Sequence, residues 1–202
     1  MERASVLEFA GLKLYFYKKE KQGTMKNLLR LMTLAGFILA MASCSLLDVK
    51  VDTEFNGDLD IQVEEPVMKA TDDTDFYAEK DINPRDDEDV NEYSDKIEEF
   101  DVTEVIATVL SVNKDGVIFR EGTEFSIWNE THTATWTLGS DWSIEPGTEV
   151  TLDDLGDIYG TVADILGSLE VFWVSADGTC NETDVTIKLR IGISTTVIAN
   201  PL

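Results

Sequence analysis

The sequence predicts a mainly β fold: an antiparallel β-sandwich, Ig-like or jelly-roll-like, with two short covering helices. Three observations lead there. Short segments alternate apolar and polar residues with period two, and turn signals separate them at regular intervals. Only two stretches switch to helical spacing, and both lie between strand pairs, so neither reads as the crossover of a βαβ unit.

In order along the chain, Val49, Val51, Thr53 and Phe55 alternate with Lys50, Asp52 and Glu54. Beyond Asn56-Gly57, Leu59, Ile61 and Val63 alternate with Asp60, Gln62 and Glu64. This reads as two strands joined by a turn, or as one strand with a bulge. Residues 64–89 lose the alternation, concentrate carboxylates, and read as a loop entering a short helix. Asn83 is placed to cap it, Pro84 suits its first turn, and Asp86 to Asp89 favour the positive end of its dipole. Val90, Tyr93, Ile97 and Phe100 recur at helical spacing.

Asp101–Val112 is rich in β-branched residues and apolar on both parities from Val105 to Val109, as in a strand covered on both faces. Asn113-Lys114-Asp115-Gly116 is a hairpin signal. "GVIFR", "EFSIW" and "TATWTL" follow as short strands. Asp153–Gly167 is the second helical stretch: Leu155, Ile158, Tyr159, Val162, Ile165 and Leu166 form its stripe, with Asp153 to start it and Gly167 to end it. "SLEVFWVSA" returns to strand and "DGTCNETD" turns. "VTIKLRIGIS" closes with Val185, Ile187, Leu189, Ile191 and Ile193 on one parity.

The first 43 residues obey different rules. Lys26 and Arg30 precede Leu31–Ala42, an apolar run of signal-peptide length and too short to span a bilayer as a helix. The run ends in Met41-Ala42-Ser43-Cys44, which resembles the lipobox of bacterial lipoproteins, with Met41 where that family usually has Leu. The resemblance implies that the Cys44 thiol takes up a diacylglycerol and tethers the chain to a membrane. The alternatives are an ordinary signal peptide cut near Ala42, or a buried helix of a cytosolic protein. Residues 1–24 read as an N-terminal extension ahead of a start at Met25, or as a longer leader. The expected organisation is therefore 1–24 extension, 25–43 lipoprotein signal peptide and 44–202 a single sandwich domain.

Of the 202 residues, 16 are Lys or Arg and 40 are Asp or Glu. Without residues 1–43 the chain has 159 residues, 9 basic and 37 acidic side chains, and a net charge of −28. Such a surface repels phosphate, which disfavours a nucleic-acid role, so no nucleic-acid partner is expected. With Cys44 lipidated, Cys180 has no disulfide partner, so the domain must be held by its apolar core.

Chemistry is sparse. His132 is the only histidine, so no two-histidine metal cage or relay can form within one chain. No phosphate-binding glycine loop or Gly-x-Ser-x-Gly elbow is present. The acidic run offers Asp72, Asp73, Asp75 and Asp86 as hard oxygen ligands for calcium, without EF-hand spacing. Among the tryptophans, Trp136 and Trp173 sit inside apolar strands and read as core. Trp128 and Trp142 flank turns and read as surface aromatics for a glycan or another envelope ligand. Two carboxylates could form a hydrolase pair, but with so many acids no pair stands out.

With the lipobox-like start, the acidic "NPRDDEDVNEYSDKIEEF" segment before an apolar strand, and a final strand running into "IANPL", the layout resembles that of small lipoproteins of Bacteroidetes-type bacteria. That resemblance implies a bacterial cell-envelope location on the outer membrane and carries over no catalytic residues. In that group an acidic cluster directly after the cysteine accompanies surface display. Here Ser45-Leu46-Leu47-Asp48-Val49-Lys50 departs from it, so a periplasm-facing protein is expected. The leading expectation is a non-enzymatic, lipid-anchored binding or scaffolding module. A calcium-dependent glycan-binding or adhesin-like subunit and a carboxylate-pair hydrolase are the alternatives.

Overall fold

The computed structural model describes residues 6–9, 12–15, 48–64 and 73–200. The chain divides into two compact units, Met1–Leu46 and Leu47–Leu202. In the first, β1 (Val6–Phe9) and β2 (Leu12–Tyr15) pair antiparallel, with Val6 opposite Tyr15. The lipobox-like segment Met41–Cys44 lies outside the described residues.

The second unit is a two-sheet sandwich. One sheet has the order β10 (Glu149–Thr151), β5 (Ile97–Val112), β12 (Val185–Ala199), β3 (Val49–Val63). The other centres on β11 (Phe172–Cys180), flanked by β4 (Thr74–Ile82) on one side and β7 (Glu124–Trp128) on the other, with β8 (Thr133–Thr137) beyond β7. Beyond the end of β7, β6 (Ile118–Phe119) meets β11 at Cys180, and β9 (Trp142–Ser143) pairs with β6.

Setting the short β6 and β9 aside, the pairing is nested. Of the remaining eight strands among the described residues of this unit the first pairs with the last (β3 with β12), the second with the seventh (β4 with β11), the third with the sixth (β5 with β10) and the fourth with the fifth (β7 with β8). One long antiparallel hairpin rolled onto itself gives this order, so the sandwich is a jelly roll rather than an Ig fold.

The alternation of apolar residues puts one face of each sheet into a shared core. Phe55, Leu59, Ile61 and Val63 of β3 line it from one sheet, and Phe172, Val174 and Ala176 of β11 from the other. Phe55 meets Phe172 edge-on across the layers at 6.3 Å, and Phe76 stacks on Phe119 at 4.3 Å. Burial of these rings and branched chains is the main force closing the sandwich.

Several elements differ from expectation. Asn56-Gly57 makes neither turn nor bulge: β3 runs unbroken for 15 residues in continuous register with β12. Gly57 is there for space, since a Cβ on it would lie 2.3 Å from Val174 Cγ2 of the facing sheet. The acidic region contains strand β4, whose Thr74, Phe76 and Ala78 are buried while Asp75, Tyr77 and Glu79 face solvent. The first helix is much shorter than its periodicity implied. Pro84–Asp86 forms a 3-10 turn capped by Asn83, and α1 (Glu88–Tyr93) is capped by Asp87, which accepts from the Val90 N–H at 3.0 Å. Ile97 and Phe100 belong to β5, where pairing with β12 overrides their helical spacing.

β5 is covered fully on one face only: Val105, Ala107 and Val109 are buried, while Ile106, Thr108 and Leu110 are half-buried. Asn113–Gly116 does turn, but it carries the chain from one sheet to the other instead of closing a hairpin. Asn181 holds that turn beside the β11–β12 turn, donating to the Gly116 carbonyl at 3.0 Å and accepting from the Ile118 N–H at 2.6 Å. Lys114 pairs with Glu182 across the same two turns. The predicted turn at "DGTCNETD" starts late. Asp177–Cys180 complete β11, and Cys180 is a fully buried free thiol.

The second helix, α2 (Ile158–Gly167), starts five residues later than predicted, leaving Leu155 70% exposed. Asp154, rather than Asp153, accepts from a first-turn N–H, that of Tyr159, at 3.0 Å. At the far end Leu169, not Gly167, takes the left-handed backbone, with φ of 54°. The helix packs on β5 of one sheet and on β7 and β8 of the other, covering an edge of the sandwich as expected. Tyr159 seals that edge: its hydroxyl accepts from the Val105 N–H at 3.2 Å and donates to the Leu152 carbonyl at 2.9 Å. The Val105 N–H, just past the end of the short β10, and the Leu152 carbonyl thereby find partners.

Candidate binding face

Because side chains alternate across a sheet, the residues of β4, β11, β7 and β8 that do not enter the core form a second, outward face. Strand register arranges them in rows. Asp81, Trp173, Trp128 and Thr133 form the first row. Glu79, Ser175, Ser126 and Thr135 form the second. Tyr77, Asp177, Glu124 and Thr137 form the third.

Trp173 and Trp128 are direct cross-strand neighbours, half-buried, with ring centroids 4.7 Å apart and planes 17° from parallel. Such a pair contributes about 0.5–1.5 kcal/mol beyond its area burial, so it stabilises the sheet as well as presenting aromatic surface. In the second row the side chains are short. Ser126 Oγ and Thr135 Oγ1 are 2.9 Å apart, and Ser175 is only 6% exposed although it faces outward. In the third row Tyr77 is 56% exposed, and its hydroxyl donates to Glu79 Oε2 at 2.5 Å. That bond, reinforced by desolvation, pushes the Tyr77 phenol up to about 12, so it stays a neutral donor. The face is thus low and hydroxyl-bearing in the middle, aromatic on one flank, and acidic with a tyrosine on the other.

The residues singled out from the sequence lie in separate places. Trp128 is on this face. Trp142 is not: it turns inward on β9 and packs edge-on against Phe119 at 6.0 Å and Phe125 at 6.2 Å. Trp173, expected in the core, instead completes the outward pair. Strand parity held the signal, since Phe172, Val174 and Ala176 share one side while Trp173, Ser175 and Asp177 share the other. Trp136 is buried as expected, its Nε1 donating to the Asp153 carbonyl at 2.9 Å.

The calcium candidates do not converge. Asp72 lies outside the described residues. Asp73 accepts from Arg120 Nε at 2.9 Å, and Arg120 also reaches Asp141 at 2.9 Å. Asp75 is exposed on β4 opposite Thr179. Asp86 accepts from Asn83 Nδ2 at 2.9 Å within the 3-10 turn. Among the described residues no three His, Cys, Asp or Glu side chains come together as a metal-binding group.

Other reactive groups are engaged elsewhere. His132 ends a turn organised by Asn129, whose Oδ1 accepts from the backbone N–H of both Thr131 and His132. Its Nδ1 lies 2.8 Å from Thr131 Oγ1. Burial pushes the Cys180 thiol up, away from thiolate reactivity. On the outer face of the other sheet an open 440 Å³ depression is lined by Asp52, Thr53, Glu54, Thr103 and Ser194–Thr196. Several of its polar groups already bond among themselves or to neighbours: Thr196 to Asp52 at 2.7 Å, Thr53 to Asp87 at 2.8 Å, and Thr103 to the Ser194 carbonyl at 3.1 Å.

No protein-family profile and no curated protein sequence matches the chain. Among solved structures, the chain is similar to one of Desmodium yellow mottle tymovirus, at 12% identity and a TM-score of 0.36 over 77% of this chain and 90% of that one. It is also similar to a cryo-EM structure of Mud crab tombus-like virus, at 8% identity and a TM-score of 0.29 over 77% of this chain and 82% of that one.

Proposed function

We propose that the chain is a lipid-anchored protein of the bacterial cell envelope, tethered through Cys44, whose jelly roll is a non-enzymatic binding module. The observation that carries the binding role is the Trp128–Trp173 pair, two large aromatic side chains held half-exposed on an outward face, where the neighbouring rows are polar. The tether rests on the basic flank, the short apolar run and the Met41-Ala42-Ser43-Cys44 ending. Only four residues separate Cys44 from Val49, where β3 begins. At about 3.3–3.6 Å per residue, the five steps of chain from Cys44 to Val49 reach no further than about 18 Å.

A binding rather than catalytic role is supported by where the reactive side chains sit. Cys180 is sealed in the core, Asp58 is held below its ordinary value chiefly by its hydrogen bonds from Arg190, and Asp141 is held below its own by the Glu121 N–H and then by Arg120. The outer membrane, facing the periplasm, is the proposed location, in keeping with the layout shared with Bacteroidetes-type lipoproteins.

The test is metabolic labelling with an alkyne fatty acid, comparing the native chain with Cys44→Ala, with protease added to intact cells. Label on the native protein that disappears in the variant supports the tether. Label absent from the native protein sinks it, and cleavage of the sandwich in intact cells overturns the periplasmic orientation.

A further inference from the structure

We propose that the outward face of β4, β11, β7 and β8 binds an uncharged glycan chain lying along the hydroxyl row, against the Trp128–Trp173 pair. This rests on the reading of the domain as a binding module and names its ligand class.

Geometry provides the first argument. Successive outward residues on a strand are about 6.6–6.8 Å apart, so the indole row and the Tyr77 row stand about 13 Å apart, with short hydroxyl side chains between them. The result is a shallow trough crossing the strands, its floor formed by Ser175, Ser126 and Thr135. Hydroxyls both donate and accept, as sugar hydroxyls do. A pyranose ring also presents C–H groups that pack against the exposed edges of the stacked indoles, leaving its hydroxyls for polar partners.

Charge provides the second. The carboxylates stand on the flanking rows and at the β4 end, the floor is neutral, and the whole chain has a net charge of −24. An anionic polymer would be repelled. On β4, Lys80 has the opposite parity to the face, level with Val174, and its Nζ lies 3.4 Å from Asp81, so none of the residues in the three rows is a cation. Carboxylates so placed can accept hydrogen bonds from sugar hydroxyls without requiring a charged ligand. A cationic polymer would find its counter-charges at the margins rather than along the floor.

The experiment is affinity electrophoresis of the detergent-solubilised full chain through gels containing xyloglucan, mannan or laminarin as neutral polymers, polygalacturonate as an anionic one and poly-lysine as a cationic one. Retardation by at least one neutral polysaccharide is expected, weakened at least tenfold in Trp128→Ala and in Thr135→Arg and unchanged in Leu155→Ala, which alters an exposed residue ahead of α2. Thr135 is exposed, so its variant fills the trough while leaving the tryptophan pair intact. It decides the matter if circular dichroism shows that Trp128→Ala does not fold. Failure of all three neutral polymers to retard the chain overturns the proposal, as does retardation that both variants leave unchanged or that only a charged polymer produces. Fatty-acid label on Cys44 in the same preparation separates the outcomes: label without glycan binding sinks the ligand class and leaves the anchored module standing.

Discussion

Replacing Gly57 by alanine tests the packing at the centre of the sandwich. A Cβ there would sit 2.3 Å from Val174 Cγ2 and 3.1 Å from Ile82 Cδ1, and ordinary carbon contacts begin at about 3.5 Å. Val174 is fully buried and β-branched, so it has no alternative rotamer of low cost. Overpacking of this kind costs about 1–3 kcal/mol, while alanine in a strand regains about 0.5–1 kcal/mol over glycine. The net expectation is a loss of about 1 kcal/mol, or about 2–4 °C in Tm for a domain of this size. Urea denaturation of wild type, Gly57→Ala, Val174→Ala and the double variant reads it directly. Because the new methyl group occupies space that Val174→Ala vacates, the double variant should be more stable than the sum of the singles by about 1 kcal/mol. If Asn56-Gly57 were a turn, the two substitutions would be independent. Additivity within about 0.3 kcal/mol, or a Gly57→Ala variant as stable as wild type, would refute the packing argument.

Tyr159→Phe removes the hydroxyl that links the Val105 N–H to the Leu152 carbonyl, and leaving these groups unpaired should cost about 1–3 kcal/mol. Equilibrium unfolding measures the loss, and amide exchange at Val105 should accelerate. Asp58 is held below its ordinary value chiefly by its hydrogen bonds from Arg190, at 2.7 and 3.2 Å. Its contribution should therefore be complete above the unfolded-chain pKa of about 3.9 and vanish as pH falls through the lower folded value. In urea midpoints between pH 2 and 7, on the order of the range over which such a group titrates, the gap between wild type and Asp58→Asn should shrink on the acid side; a gap that widens there contradicts the assignment. In a Cys44→Ala background the Cys180 thiol should resist a disulfide reagent in native protein and react fully in denaturant. Fast reaction in buffer would mean that β11 does not bury it.

Much of the fold was legible because burial imposes period two on a half-covered strand. The Val185–Ile193 alternation continues to Ala199 in β12, and the short segments after Gly116 became β6, β7 and β8. Strand β4 is hidden by composition: its aspartates suit a loop, although Thr74, Phe76 and Ala78 alternate with Asp75, Tyr77 and Glu79. The opposite holds at Ile97 and Phe100, whose spacing suits a helix but whose contacts with β12 across the sequence outweigh that local preference. Half of the candidate site was visible, in Trp128. Trp173 lies in an apolar run that suits the core, yet its strand parity faces it outward, and Trp142 is drawn inward by packing against Phe119 and Phe125.

The sequence alone determined what is local: the β class, the buried parity of most strands, the bend at Asn113–Gly116, the acidic exterior, and the lipobox-like ending at Cys44. Each follows from side chains interacting with solvent or with their immediate neighbours. Only the tertiary structure decided the nested pairing that makes a jelly roll. Val49 opposite Ala199, or Thr74 opposite Cys180, are contacts between residues far apart in the chain, and no local pattern encodes which strand will be the partner. The same holds for Gly57, which reads as a turn residue until Val174 of the facing sheet takes the space a side chain would need.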